Sequence, residues 1–156
     1  MMVLVVPPPA PTRTSYLSDL EWVSATNGWG PVERDRSNGE TGPTDGRPIR
    51  IGGQAYARGL GVHAPSRVTY YLGGRCSTFR AVIGVDDEVG DQGSVVFQVW
   101  ADGVKVYDSG MITGRLPGRE VEVDIRGVEE LTLVVTDGGD NKDFDHADWA
   151  NAEVII

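Results

Sequence analysis

"SVVFQVWADGVKVYDS", residues 94–109, sets apolar side chains at every second position and breaks the pattern at "ADG". Burial of alternate residues is the signature of strands that cover a core with one face, and Asp-Gly suits the left-handed backbone of a tight hairpin turn. The same period recurs in both directions: "VTYYL" (68–72), "FRAVIGV" (79–85), "VEVDI" (121–125), "LTLVV" (131–135) and "WANAEVII" (149–156). No comparable helical stripe exists, and 21 glycines punctuate the chain, with "RGVEE" (126–130) reading as a second hairpin turn. Short strands with frequent turns predict an all-β fold, an antiparallel β-sandwich, with a closed barrel as the alternative.

A length of 156 residues fits one domain that can bury a core without disulfides or a structural metal. The net charge of -9 argues against nucleic acid and anionic membrane as partners, since both reward Lys and Arg facing phosphate. Cys76, the single cysteine, cannot close an internal disulfide and has no zinc-ligand spacing around it, so it reads as a small buried hydrophobe. No apolar run approaches the roughly 20 residues of a transmembrane helix, which predicts a soluble protein. "MMVLVVPPPAPTRTS" (1–15) lacks a basic leader region and passes straight into prolines. It reads as a stiff Pro/Thr-rich linker joined to a module at 16–156, itself part of a larger chain.

In an antiparallel sandwich of lengthwise strands every second connection lies at the same end. Counting from strand 79–85, the connections 86–93, 110–120 and 137–148 share one end, and counting backward places 63–66 and the long 25–48 connection there too. The short turns and the C-terminus fall at the other. The polar loops therefore gather at one pole, around "DGGDNKDFDHADW" (137–149).

Several chemistries compete for that aspartate-rich segment. An EF-hand fails, because counting from Asp137 puts Lys142 where the loop needs its glycine, and counting from Asn141 puts His146 there. A less regular calcium site built from separate loops and a solvated acidic turn both stay open. Paired carboxylates could serve a glycosidase, yet no motif selects a pair, and nucleophile-elbow, zinc-protease and phosphate-loop signatures are all absent. Aromatic rings favour sugar binding, since a flat ring beside hydrogen-bonding groups suits the C–H face of a pyranose. Trp29, between glycines in a long loop, and Trp149, at the start of the last strand, are the rim candidates; Trp22 and Trp100 read as core. Alternation that points Ala150, Ala152, Val154 and Ile156 inward leaves Trp149 and Glu153 on the other face. His63 reads either as a satisfied structural histidine or as a ligand contact, and Glu153 as a solvated carboxylate or a metal ligand facing 25–48.

The ordered set "SDLEWVSATNGWGPVERDRSNG", "GLGVHA", "GVDDE" and "DHADWANA" resembles the NPCBM family, grouped with carbohydrate-binding module family 51, from about Tyr16 to the C-terminus. The resemblance implies a galactose-binding-domain-like jelly-roll sandwich, non-catalytic, attached to secreted bacterial glycoside hydrolases and binding galactose-containing glycans. It implies a sugar site at His63, Asp148 and Trp149, with Trp29, Asp86 and Glu88 at the rim. It also implies structural calcium at Asp35, Asn38, Thr41 and Glu153. Two other readings are an adhesion or protein-interaction sandwich and a stand-alone glycosidase; polar outward residues such as Thr69, Gln98 and Glu122 speak against the first.

Overall fold

The computed structural model describes residues 8–28, 30–37, 47–87, 93–114, 116–137 and 146–156. It is an antiparallel β-sandwich. One sheet is built from β11 (Arg119–Asp124), β8 (Thr78–Val85), β13 (His146–Ile155), β6 (Gly59–His63) and β3 (Glu33–Arg34), in that order. The short β1 (Ser15–Tyr16) extends it, pairing with the far half of β13 where β6 has ended. The second sheet runs β10 (Val104–Thr113), β9 (Ser94–Ala101), β12 (Glu130–Thr136), β7 (Ser66–Tyr71) and β2 (Ser24–Thr26). A separate two-stranded strap, β4 (Ile49–Ile51) with β5 (Gln54–Tyr56), completes the strands among the described residues, and a short 3-10 turn, Leu17–Asp19, follows β1. Among the described residues no helix is long and apolar enough to cross a membrane.

All seven strands predicted from alternation are present, and their inward residues form one core between the sheets. "ADG" is the hairpin turn joining β9 to β10, with Asp102 at φ 49° and Gly103 at φ 82°. "RGVEE" is not a hairpin: β11 pairs with β8 in the first sheet while β12 pairs with β7 and β9 in the second, so this segment crosses between sheets. Both turns carry a glycine at positive φ, and the partner of each strand distinguishes the hairpin from the crossover. Cys76 is buried, and burial pushes its thiol up. Tyr70 is buried as well, its hydroxyl donating to the Leu17 carbonyl at 3.1 Å. β1 starts at Ser15, and Pro11, in the Pro/Thr-rich segment before it, is buried.

The register bears out the gathering of 63–66, 86–93, 110–120 and 137–148 at one pole, but the 25–48 connection is interrupted by β3, which runs antiparallel to β6 and away from that pole. His63 opposes His146, Val85 opposes Ala147, Ser66 opposes Val135, Val96 opposes Thr136 and Ser94 opposes Thr113, so these strand ends lie together. The three-peptide turn from His63 to Ser66 ties this end of the first sheet to that of the second.

Candidate functional site

β6 alternates glycine and apolar residues: Leu60 and Val62 enter the core, which puts Gly59, Gly61 and His63 on the outer face of the first sheet. The neighbouring strands then set up two polar rungs near the loop-bearing end. In one, Glu33, Gly61, Asp148 and Gly84 lie side by side across β3, β6, β13 and β8. In the other, His63 and His146 are opposite one another with their rings edge to face, 5.0 Å between centroids. Asp86 continues from β8, its amide donating to the His146 carbonyl at 3.0 Å. All five polar side chains are buried, Glu33, His63 and Asp148 completely. Burying three carboxylates and two imidazoles is costly unless hydrogen bonds replace water, so such a cluster is a high-stakes arrangement.

His63 is held from several sides. Its amide donates to Asn27 Oδ1 at 2.8 Å, and its carbonyl accepts from the Gly28 amide at 2.9 Å. Nδ1 lies 2.8 Å from the Ala64 carbonyl, which can only accept, so Nδ1 carries a proton and a neutral ring keeps its lone pair on Nε2. Gly28 is obligatory here, because an added Cβ would collide with the Ala64 carbonyl.

The strap covers the middle of the same outer face. Ile51 packs where a side chain at Gly84 would stand, and Ile49 and Ile51 close over Ala150. Two consecutive aspartates pin it. Asp86 Oδ2 accepts from the Arg50 amide at 3.3 Å, while Asp87 accepts from Gly52 at 2.9 Å and Gly53 at 2.7 Å, both glycines having positive φ. Asp87→Ala is expected to cost about 1 kcal/mol, the typical net worth of such bonds, and to speed exchange of the Gly52 and Gly53 amides. Hydrogen-exchange NMR reads this directly, and unchanged protection would mean the apolar contacts of Ile49 and Ile51 hold the turn unaided.

The structure brings His63, Asp148 and Asp86 together but gives Asp86 and Trp149 other parts than expected. Asp86 is 2% exposed and anchors the strap instead of lining an open rim. Trp149 is fully buried, edge to face with Phe97 at 5.0 Å and Phe79 at 6.1 Å, so its ring is core and offers no face to a sugar. The cause is a β-bulge. Pairing of β13 with β8 slips between Ala150 and Glu153, and Asn151 takes φ 49°, so alternation changes phase there. Ala147 and Trp149 face the core before the bulge, Ala152 and Val154 after it; Ala150 turns to the strap, and Ile156 is half exposed. Trp100, expected in the core, stands on the outer face of the second sheet, partly exposed, its Nε1 donating to Gln98 Oε1 at 3.0 Å. Trp22 does pack on the core, with the Arg34 guanidinium 3.9 Å above its ring. Trp29 and Glu88 lie outside the described residues.

The calcium set divides similarly, with Asn38 and Thr41 outside the described residues. Asp35 accepts from the Gly59 amide at 3.1 Å through Oδ1 and stands 3.7 Å from Arg58 through Oδ2. Glu153 lies beyond the bulge, opposite Tyr16 and Arg80. Among the described residues no group of three His, Cys, Asp or Glu is placed to hold a metal, and two of the four expected ligands lie outside those residues. Sequence reasoning missed Glu33 and His146 as members of the polar cluster. The available signal was "GLGVH", whose glycines clear one sheet face for side chains from strands on either side.

Two packed sheets with one polar, loop-bearing pole make a scaffold on which a binding site can be built. The NPCBM/NEW2 domain model matches residues 13–155, and the chain belongs to that family of carbohydrate-binding modules. The CBM51 module of Clostridium perfringens GH95, solved with methyl-galactose, is 38% identical, with TM-score 0.81 over 90% of this chain and 99% of that one. The CBM51-2 module of Clostridium perfringens ZmpB, solved with GlcNAc and adjoining INT domains, is 33% identical, with TM-score 0.83 over 92% of this chain and 31% of that one. A Renibacterium salmoninarum protein provisionally named endo-alpha-N-acetylgalactosaminidase is 42% identical over 149 residues, 95% of this chain but 10% of its own length. The chain is thus a non-catalytic module that matches a small part of a far larger protein.

Proposed function

We propose that this module binds a terminal galactose or a related N-acetylated hexose and holds an attached glycoside hydrolase, acting outside the cell, against the glycans it cleaves. The observation that carries the reading is the buried Glu33, His63, His146 and Asp148 cluster beneath the pole where the loops converge. Preorganised acceptors and donors are what a sugar ring needs, since each hydroxyl both donates and accepts. Asp148 and His63, as fully buried as Trp149, would then orient the residues that cover them and meet the hydroxyls, with stacking supplied from Trp29. With net hydrogen bonds worth ~1 kcal/mol each, a monosaccharide binds at roughly millimolar to tens of micromolar affinity. Many copies of the sugar on a surface raise the effective concentration enough for such weak binding to serve. Calcium enters only as a brace at Asp35 with the 38–41 segment and Glu153, and no contact with sugar is assigned to it.

A glycan array probed with the purified chain in calcium and in chelator tests the proposal. Binding to galactose-terminated or N-acetylhexosamine-terminated glycans is expected, and loss in chelator would bring calcium into the site. Silence across the array in both buffers would overturn the sugar reading.

A further inference from the structure

Below the strap, the same outer face of the first sheet carries a second polar surface. Four residues lie in one register rung across four strands: Tyr16 on β1, Glu153 on β13, Arg80 on β8 and Glu122 on β11. At ~4.8 Å per strand the rung is about 14 Å wide. It borders a depression of about 510 Å³, with Val82 and Asn151 also in its wall. That size is in the range of small-ligand sites, ~300–1,000 Å³. The bulge that buries Trp149 also shapes this wall, because Asn151 sits exposed at left-handed φ, a conformation asparagine tolerates better than most residues.

Arg80 is directly opposite a glutamate on each side, yet makes no ion pair within 4 Å with either, and the exposed ion pairs of the described residues lie elsewhere. The rung therefore presents separate groups in the order ring, acceptor, donor, acceptor. The carboxylates do not converge as a metal site, and with Glu120 in the wall they outnumber the single guanidinium. An anion is repelled and a small cation finds no cage. A neutral polyhydroxylated ring matches, its hydroxyls bridging carboxylate to guanidinium and its C–H face meeting Tyr16 or Val82.

We infer that this depression is a second binding site, for a neutral saccharide, on the sheet face rather than at the loop-bearing pole. The inference rests on the sugar-binding reading above, and one experiment separates them: amide-resolved NMR titration of the whole chain with methyl-galactoside, N-acetylglucosamine, N-acetyllactosamine and glucuronate. Saturable shifts at 80–82, 120–122 and 153 are expected with at least one neutral sugar and not with glucuronate. Arg80→Ala and Glu122→Gln, both at exposed positions, should each weaken that site at least tenfold while leaving shifts near 63 and 146–148 in place. Shifts confined to the pole would overturn the second site and leave the first. Equal titration by glucuronate, or indifference to both substitutions, would also overturn it, and no shift with any sugar would overturn both.

Discussion

Trp149→Ala should unfold the module far more readily than it weakens sugar binding. The ring is completely buried and meets Phe97 from the opposite sheet and Phe79 from its own. Removing such a side chain forfeits its transfer free energy and leaves a cavity that rigid sheets cannot close, a loss of about 3–5 kcal/mol. Against a total stability of about 5–15 kcal/mol, that is enough to leave a substantial unfolded population. Urea denaturation should show a large drop in midpoint with little change in slope. Sugar affinity measured per folded molecule should stay near wild type. A variant of normal stability that no longer binds sugar would mean that the ring faces ligand after all.

Gly59→Ala is the second large effect, and it is a backbone effect. Gly59 has φ 152°, where side chains are strained, and an added Cβ would stand 2.5 Å from the Trp149 carbonyl oxygen and 2.9 Å from Ala150 Cα. Neither atom can swing away as the end of a side chain could. Strain of about 1–3 kcal/mol and overpacking of a similar size together predict a loss of roughly 2–6 kcal/mol. Because Gly59 pairs with Ala150 immediately before the bulge, spreading of the strands there would also move the rung that carries Asp148. Sugar affinity per folded molecule should therefore fall along with the denaturation midpoint, in contrast to Trp149→Ala. An unchanged midpoint would show that β6 and β13 separate without cost.

What could be read along the chain was whatever depends on neighbours in sequence. Alternation reports which side of a strand is apolar, so the strands from 66 to the C-terminus and the sandwich class were legible, and strand direction followed well enough to bring His63, Asp86 and Asp148 to one pole. Pairing partners, and any interruption of alternation, are set by contacts between residues far apart. Glu33 enters the cluster only because β3 pairs with β6, some 28 residues on. "RGVEE" crosses between sheets because β11 finds β8. Trp149 is core because one extra residue at Asn151 shifts the phase of β13, and that bulge exists only in the mismatch between β13 and its neighbour. Composition and period thus determined the class of the fold and the pole where its polar loops collect, while the long-range register of β13 decided which of its residues are buried, because a slip of one position sends each following side chain to the opposite face.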